Sequence, residues 1–451
     1  MIEPFRKLLG KQDAFEVRPE DPAGGVLGAR PKLALRPRSA QEVAAVLQVA
    51  AERGLAVAPW GGGQHQDRGA VPASADIVLL TGQLAGITRF DAADQTLSAK
   101  AGTRLADIAQ AARAERLWLP LDPPGLERAT IGGVLAAGVS GPLRTGFGQP
   151  IDHVLGTLTA HSDGRLATSG GRLVKNVTGF DLHRLLHGSC GALAVICEVH
   201  LRLRPLPQCD ASIAVTLGDA ETLDRFLALV REAREAPVAY VVVDVESARS
   251  AQLPLDLGHK DGAYLVLLRY CDAEKAVERA LSSIRTAAAA AQALLVQALD
   301  ADVGVKTFER IREWPSRCAL DGASKPVVAK LAALPMRAGK STLGGLVEAG
   351  LAACAGTGAP CALLVEPALG LIRFVFAGEP TRLTFDALSA LTRREPERMR
   401  FTIESGPAAI RAMFARHLGR TASFTLQRRL KRATDPAGIL VPGRVEGDDV
   451  A

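Results

Sequence analysis

Residues 121–207 constrain the fold of this chain most, because short groups of glycine recur there between apolar residues. A glycine pair after β-branched residues lets the chain turn sharply and present backbone amides that no side chain shields. Such amides suit a pyrophosphate, so the stretch predicts a cradle for a dinucleotide. Four groups carry the pattern: Ala129-Thr130-Ile131-Gly132-Gly133, Ser140-Gly141-Pro142, Lys175-Asn176-Val177-Thr178-Gly179-Phe180-Asp181 and Gly191-Ala192-Leu193-Ala194-Val195-Ile196.

Three better-known motifs fail in this sequence. No G-x-G-x-x-G follows a predicted strand, so the Rossmann fingerprint is absent. Ala338-Gly339-Lys340-Ser341 resembles the end of a P-loop, but the glycine required five positions before Gly339 is Leu334. The sequences around Ser140 and Ser189 each lack one glycine of a nucleophile elbow, which argues against a serine hydrolase. A dinucleotide would therefore be held by another fold.

Length and charge bound the class of function. At 451 residues the chain exceeds the usual limit for one core, so two domains, or one domain with a large insertion, are expected. The net charge of +6 comes from scattered arginines without a long block of like charges, so nucleic acid is not an implied partner. A basic balance suits an anionic cofactor or a small acidic substrate, because arginine binds carboxylate and phosphate in a bidentate manner.

The cysteines and histidines do not predict a metal or cluster site. No two cysteines have C-x-x-C spacing, so the seven are expected to be buried free thiols in a reducing compartment. His183 and His187 would share one face of a helix that ends at Gly188, but no third ligand stands near them. The N-terminus lacks an apolar signal region, and charges and a proline interrupt residues 361–376, so neither secretion nor a membrane span is expected. The cysteines are Cys190, Cys197, Cys209, Cys271, Cys318, Cys354 and Cys361.

Helix and strand signals alternate, which predicts an α/β or α+β class. A capping box at Ser39-Ala40-Gln41-Glu42 begins a helix that Gly54 ends, and the strand at 55–58 leads into a triple-glycine loop. Residues 1–31, rich in charge, glycine and proline, are expected to be an extended lead-in. Further strands are predicted at 75–81, 96–101, 238–245, 262–269, 327–334, 362–365 and 371–377. Further helices are predicted at 105–114, 220–234, 274–299, 307–314 and 425–433.

Taken in order along the chain, these groups resemble the FAD-binding PCMH-type oxidoreductases of the vanillyl-alcohol oxidase superfamily, and within it the FAD-binding subunit of glycolate oxidase. The resemblance is specific over residues 32–207 and weaker over about the last forty residues. Besides the four groups above, it rests on Arg36-Pro37-x-Ser39, Gly61-Gly62-Gly63, Asp152-His153-Val154-Leu155-Gly156 and Gly170-Gly171-Arg172.

The resemblance implies an α+β fold in which a PCMH-type FAD-binding domain of two αβ subdomains carries an inserted αβ cap domain for substrate. The implied division is a lead-in at 1–31, the FAD-binding domain at 32–207 and the cap at 208–400. A C-terminal segment at 401–451 would return to the FAD-binding domain.

The resemblance also implies a set of site residues. Backbone amides of the triple-glycine loop and of the turn from Thr130 to Gly133 would hold the pyrophosphate, and Ser140-Gly141 would lie along the middle of the cofactor. Val195-Ile196 would line the adenosine side, and Lys175-Asn176 and Pro442-Gly443-Arg444 would approach the isoalloxazine ring. The full expected set is Trp60, Gly61, Gly62, Gly63, Gln64, His65, Pro124, Thr130, Ile131, Gly132, Gly133, Ser140, Gly141, Arg144, Lys175, Asn176, Val195 and Ile196.

Three positions depart from the family pattern. Relatives that bind flavin covalently carry a histidine after the paired glycines, where this chain has Gln64, with His65 one position later. Non-covalent FAD is therefore expected. Phe180 replaces the family's tyrosine, and Val441 replaces the asparagine of its Asn-Pro-Gly-Arg. Both changes remove a polar group and argue against a catalytic or flavin-tuning role there.

Two functions follow from the resemblance. In the first, the chain uses FAD to accept a hydride from a small 2-hydroxy acid such as glycolate. In the second, it is a non-catalytic FAD-binding accessory or electron-relay subunit that supports a sister flavoprotein. No catalytic base is identified, because the half after residue 207 carries only His259 before His417. The arginines that could bind a substrate carboxylate cannot be ranked from sequence: Arg144, Arg317, Arg337 and Arg444.

Partners are implied in either case. The resemblance implies a second flavoprotein subunit and an iron–sulfur subunit, and this chain has no cysteine cluster with which to be the latter. The expected location is the cytoplasm, or the periphery of the inner membrane through those partners.

Overall fold

The computed structural model describes residues 1–18, 28–172, 179–258, 261–317, 326–333, 342–415 and 422–444. The chain divides into two compact units. The first unit comprises Met1–Ser140, Gln149–Leu206 and Pro407–Ala451, and the second comprises Gly141–Gly148 and Pro207–Gly406. The chain therefore leaves the first unit twice and returns to it twice.

One sheet of the first unit is built from the N-terminal strands. They are β1 (Ala14–Glu16), β2 (Leu33–Leu35), β3 (Val57–Trp60) and β4 (Ile77–Leu80). In the order β1-β2-β4-β3, β1 is antiparallel to β2, and the other neighbours run parallel. Two helices, α1 (Glu3–Leu9) and α2 (Ala40–Glu52), contribute side chains to the same hydrophobic core.

The predicted Ser39 cap at the start of α2 is confirmed, but the Glu42 carboxylate accepts from the amide of Arg38 at 2.7 Å rather than completing the box with the amide of Ser39. The hydroxyl of Ser39 accepts a hydrogen bond from the amide of Glu42 at 3.1 Å. The apolar positions that follow at helical spacing are fully buried, and the helix ends at Glu52, two positions before Gly54. Local capping and periodicity therefore suffice to define this helix.

The predicted extended lead-in at 1–31 is wrong for its first half. Phe5 of α1 is 0% exposed, and β1 pairs with β2, so both elements belong to the core. The helix has only seven residues, which is too short for its apolar positions to form a readable period. Residues 19–27 lie outside the described residues.

The second sheet of the first unit is antiparallel. Its strands are β5 (Ile87–Asp91), β6 (Thr96–Lys100), β8 (Val154–Ala160), β9 (Leu166–Gly170) and β10 (Val195–Arg202), in the order β5-β6-β10-β8-β9. Its core includes side chains of α3 (Leu105–Ala114) and α4 (Ile131–Ala137). A two-stranded ribbon joins β7 (Leu117–Trp118) to β11 (Arg204–Pro205).

The second unit is built on one eight-stranded sheet with the order β15-β12-β14-β13-β17-β18-β16-β19, whose paired neighbours are all antiparallel. Its strands are β12 (Cys209–Leu217), β13 (Ala239–Asp244), β14 (Tyr264–Asp272), β15 (Leu295–Leu299), β16 (Val327–Ala333), β17 (Ala362–Glu366), β18 (Leu371–Phe376) and β19 (Met399–Ser405). Its helices are α5 (Arg144–Phe147), α6 (Ala220–Glu232), α7 (Val245–Ser250), α8 (Glu274–Ala290), α9 (Ala301–Arg317), α10 (Leu343–Gly356) and α11 (Arg382–Leu391).

The predicted helix at 274–299 is wrong at its end. The helix α8 stops at Ala290, and Gln292 takes a positive φ of 58° that breaks the helical path. Residues 295–299 instead form β15, which pairs along β12. Pairing with a neighbouring strand outweighs the helix propensity of the alanine-rich sequence, because strand preference depends on tertiary context.

The last part of the chain packs against β3. After α12 (Ala408–Ala415) and α13 (Ala422–Thr434), the amide of Val57 donates to the carbonyl of Ile439 at 2.7 Å, and the amide of Val441 donates to Val57 at 3.0 Å. Lys431 is buried and donates to the carbonyls of Ala192 at 2.7 Å and Leu440 at 2.6 Å, and to the carboxylate of Asp435. The hydrogen bonds of Lys431 to these two carbonyls connect α13 to the segment before β10 and to the C-terminal segment.

In the part of the chain that the structure describes, no helix is long and apolar enough to cross a membrane.

Candidate functional site

The first unit contains an open cavity that lies where three loops meet. The loop after β3, the turn before α4 and the segment leading into β10 supply its walls. Arg444, from the C-terminal segment, also lines it.

The triple-glycine loop packs directly against the segment before α4. A Cβ on Gly62 would overlap the carbonyl oxygen of Arg128 and lie 2.8 Å from its carbonyl carbon. A Cβ on Gly61 would likewise run into the hydroxyl of Thr130. Gly63 has a φ of +72°, which residues with a side chain rarely adopt. Three different constraints therefore demand the three glycines.

The backbone amides of the two glycine segments differ in what they bind. Among the described residues, no acceptor contacts the amides of residues 62–65. The amide of Ile131 donates to Thr103 at 3.0 Å, and that of Gly132 donates to Ala101 at 2.9 Å. The amide of Gly133 donates to the Thr130 hydroxyl at 3.3 Å. Donors for an anion are thus concentrated in the loop after β3.

Gly132 is required by packing. A Cβ there would lie 2.6 Å from the Cβ of Ala101 and 2.9 Å from its carbonyl oxygen. The glycine therefore lets α4 start against the end of β6, while Thr130 caps the helix.

Arg444 brings a buried positive charge to the cavity wall. Arg444 is 5% exposed, and its Nη2 donates to the carbonyl of Gln66 at 2.9 Å. Its Nε and Nη1 are buried and have no hydrogen-bond partner in the described structure. Unsatisfied buried guanidinium donors are costly, so these two nitrogens indicate a site for an anionic or carbonyl group.

Arg411 lies in the same electrostatic environment. Burial and the charge of Arg444 lower the pKa of Arg411 to about 10. Its guanidinium donates to the carbonyl of Gly69 at 3.0 Å. This end of the first unit therefore concentrates positive charge.

His65 and Gln64 also line the cavity. Burial, with a smaller effect of Arg68, lowers the pKa of His65 to about 3, so the imidazole is neutral at neutral pH. Gln64 folds back, and its side-chain amide donates to the carbonyl of Gly62 at 3.1 Å.

Most of the residues expected at the cofactor line this one cavity: Trp60, Gly61, Gly62, Gly63, Gln64, His65, Thr130, Gly132, Gly133, Val195 and Ile196. Ile131 is 1% exposed and belongs to the core beneath α4. Pro124 and Ser140 lie in the first unit outside the lining, and Gly141 and Arg144 belong to the second unit. Lys175 and Asn176 fall outside the described residues.

Sequence reasoning missed several lining residues. Thr81 directly follows β4 and Ala101 directly follows β6, Ala136 and Ala137 lie on α4, and Cys190 precedes Gly191. Small apolar residues carry no chemical signal of their own. Only the positive φ of Cys190, 51°, marks an unusual position, and it is not readable from sequence.

The two histidines considered for a metal take other roles. The region forms a short 3-10 helix, Leu182–Leu186, and the side chain of His183 contacts the hydroxyl of Ser169 at 3.2 Å. His187 pairs with the side chain of Gln149. Within the described ranges, no group of three metal-ligating side chains is present.

An FAD binding domain family matches residues 31–170, which include the triple-glycine loop and the turn before α4. The glycolate oxidase subunit GlcE of Escherichia coli is 38% identical over 129 residues, 28% of this chain and 37% of that protein. A D-lactate dehydrogenase of Archaeoglobus fulgidus is 34% identical over 199 residues, 44% of each chain. This chain therefore spans less than half the length of these two curated relatives.

A relative of similar length is an uncharacterized FAD-linked oxidoreductase of Mycobacterium tuberculosis, which is 26% identical over 443 residues, 93% of this chain and 92% of that protein. Among solved structures, p-cresol methylhydroxylase superposes with a TM-score of 0.74 at 15% identity, covering 99% of this chain and 96% of that chain. The predicted α+β fold is confirmed, and FAD is the cofactor of this chain.

Proposed function

We propose that this chain, which belongs to the FAD-binding PCMH-type oxidoreductases of the vanillyl-alcohol oxidase superfamily, oxidises the CH–OH group of a small 2-hydroxy acid as the FAD-binding subunit of a larger complex. The names of two relatives, a glycolate oxidase subunit and a D-lactate dehydrogenase, support the substrate class. The word subunit in the first of these names supports the complex.

One observation carries the assignment of the cofactor to the cavity. The amides of residues 62–65 lack acceptors among the described residues, and two nitrogens of Arg444 lack partners at the same cavity. The oxygens of a pyrophosphate or a flavin carbonyl can accept hydrogen bonds from such donors. Because the three glycines have no side chains, these oxygens can approach the backbone amides closely. When bound, FAD supplies the acceptor for the hydride, and the protein contributes position and charge.

Different residues of this chain would contact different parts of FAD. Gly62 and Gly63 would donate backbone hydrogen bonds to phosphate oxygens, and Val195 and Ile196 would cover the adenosine. Arg444 would place positive charge against the cofactor, where it stabilises negative charge that develops on reduction.

The cavity supplies no obvious general base. Among the described residues that line it there is no carboxylate and one imidazole, that of His65, whose pKa is about 3. A general base works best with a pKa near the operating pH. Proton removal from the substrate would therefore fall to a group outside this cavity.

The same observation favours the second candidate function, an accessory or electron-relay subunit whose sister flavoprotein oxidises the substrate. Such a subunit needs the cofactor cavity but no base. It would assemble with that flavoprotein and with an iron–sulfur subunit.

Anaerobic reduction separates the two functions. The chain is purified alone, its flavin spectrum is recorded, and glycolate or D-lactate is added without oxygen. Bleaching of the bound flavin is expected for the self-sufficient enzyme. A bound flavin that stays oxidised until the partner subunits are added supports the relay function and contradicts turnover by this chain alone.

We expect FAD to be bound without a covalent bond to the polypeptide. Gln64 stands where covalent relatives have histidine, and it is held by its own bond to Gly62. Mass spectrometry of the denatured holoprotein is expected to give the mass of the polypeptide alone, with FAD in the supernatant. A polypeptide that retains the flavin mass would contradict this and direct attention to His65.

Replacement of Arg444 by glutamine is expected to weaken FAD binding. Hydrogen bonds to charged groups contribute about 1.5–3 kcal/mol, so the dissociation constant should rise about 10- to 100-fold. Titration of the apoprotein with FAD by fluorescence measures it. Arg444→Lys should lie between wild type and Arg444→Gln, and the exposed Arg202→Gln serves as the neutral control. An unchanged affinity in Arg444→Gln would remove Arg444 from the site.

A further inference from the structure

Cys190 differs from the other described cysteines in conformation and position. It lines the cofactor cavity, is half-buried, and has a left-handed φ of 51°. Its amide donates to the carbonyl of Ala136 at 2.8 Å, which holds it in that conformation. Non-glycine residues rarely adopt this region, and where they do the site is often functional.

The sulfur of Cys190 faces the same space as the unsatisfied guanidinium of Arg444. A Cβ built on Gly69 would lie 3.4 Å from the Sγ of Cys190 and 3.6 Å from the Nε of Arg444. Arg444 is 5% exposed, and its Nε and Nη1 lack partners in the described structure. Arg411, which is 4% exposed, lies near enough to interact electrostatically with Arg444, Cys190 and the carboxylate of Asp67. The thiol and two donors for an anion therefore meet at one wall of the cavity.

The remaining described cysteines lack this combination. Cys197 is 1% exposed, and burial raises the pKa of its thiol to about 12. Burial also raises the pKa of Cys271 to about 12, and Cys354 is buried. Cys209 and Cys361 lie in the second unit and do not line the cavity. Raised thiol pKa values and burial make cysteines inert, so reactivity should concentrate at Cys190.

We propose that Cys190 is a modification site for anionic low-molecular-weight disulfides of the glutathione disulfide class, and that the resulting mixed disulfide excludes FAD from the cavity. The deprotonated sulfur of Cys190 attacks one sulfur of the reagent and forms a new S–S bond. The S–S bond of the reagent breaks, and its other half leaves as a thiolate. The protein thiol is oxidised, the departing half is reduced, and the proton of Cys190 goes to solvent.

The charge at the cavity wall gives the reaction its selectivity. The carboxylates of a glutathionyl group would complete the bonds of Arg444 that the protein leaves open. The adduct would then fill space that FAD needs. Formation of the mixed disulfide at Cys190 would therefore block FAD binding, and reduction of that disulfide by a thiol would restore it.

The experiment uses the full-length apoprotein and glutathione disulfide. Mass spectrometry with peptide mapping follows modification at each cysteine, and flavin fluorescence measures FAD binding. Cys190 is expected to react fastest, and the modified protein should bind FAD only after treatment with a thiol reductant. At a free FAD concentration of about 100 times Kd, the rate at Cys190 should fall about 100-fold, because only the unoccupied fraction reacts.

Two comparisons test the cause. In Cys190→Ser, whatever its own FAD affinity, that affinity should be the same before and after treatment with glutathione disulfide. Cystamine, a cationic disulfide, should react at Cys190 about tenfold or more slowly, as expected for electrostatic attraction of the anionic reagent.

Three results would each overturn the proposal: another cysteine reacting first, equal reaction with and without FAD, or FAD binding by the Cys190 adduct. Equal rates for the two disulfides would overturn its charge selectivity. No hydroxy acid enters these measurements, so their outcome is independent of the proposed substrate.

Discussion

Replacement of Gly62 by alanine is expected to abolish retention of FAD during purification. The new methyl group would overlap the carbonyl oxygen of Arg128, and real Cβ atoms essentially never approach another heavy atom within 3.0 Å. The neighbour is backbone, so no side chain can rotate away. Overpacking of this kind costs about 1–3 kcal/mol, and a displacement of about 1 Å in a binding loop can cost about 100-fold in function.

The matched control for this substitution is Gly82→Ala. Gly82 lies in the short 3-10 helix Thr81–Gln83 that follows the neighbouring strand β4, and a Cβ there would meet no atom within 4 Å. The control should purify with FAD at the wild-type ratio, measured by absorbance of flavin against protein. A yellow Gly62→Ala protein with wild-type FAD affinity would show that the loop after β3 does not form the cofactor site.

Gly132→Asp would be a poorer test of the same cavity. Its Cβ would collide with Ala101, so the variant would disturb the packing of α4 whether or not a phosphate lies near. Because Gly62→Ala also overlaps its neighbour, loss of FAD from either variant must be compared with the unfolding transition of the same variant. Gly62 is the sharper choice because the loop that it closes presents the amides without acceptors.

Replacement of Lys431 by methionine is expected to destabilise the first unit by about 3–5 kcal/mol, the usual cost of removing one partner of a buried ion pair. The substitution leaves the carboxylate of Asp435, 2% exposed, without its cation. It also removes a donor from the carbonyls of Ala192 and Leu440. These carbonyls flank the cavity wall and the segment that ends at Arg444, so FAD affinity should fall together with stability.

Urea unfolding monitored by circular dichroism measures the change. Arg432→Met, at the exposed neighbouring position of α13, should be within about 0.5 kcal/mol of wild type. The double variant Lys431→Met, Asp435→Leu should recover part of the loss, because no unpaired charge stays buried. Equal stability of Lys431→Met and wild type would mean that the C-terminal segment does not depend on this ion pair.

Local signals in the sequence predicted much of the secondary structure. The helix Leu105–Ala114 was predicted with the bounds that it has, and the Ser39 cap placed the start of α2. The cap of α2 is a contact within one turn of helix, and the buried residues of α3 recur at helical spacing, so both signals lie in residues close in sequence. The errors arose where a distant partner decided the outcome: β1 exists because β2 lies beside it, and β15 exists because β12 does.

The four candidate arginines also separate what local sequence predicts from what tertiary structure decides. Sequence reasoning could not rank the four candidates for an anion. In the described structure Arg317 is exposed, Arg144 belongs to the second unit, and Arg444 lines the cofactor cavity. Arg337 lies outside the described residues. Burial against the loop after β3 distinguishes Arg444, and burial is a tertiary property.

The sequence by itself indicated a dinucleotide site, because the glycine groups are a local requirement of backbone that must turn sharply and pack without side chains, and the resemblance of these groups in their order to the PCMH-type oxidoreductases implied FAD. Only the tertiary structure decided what each glycine does: Gly62 allows two loops to meet, whereas Gly132 allows a helix to rest on β6. The tertiary structure also joined Arg444 and Cys190 across more than half the chain, since the distance between two residues in a folded protein is set by packing rather than by their separation in sequence.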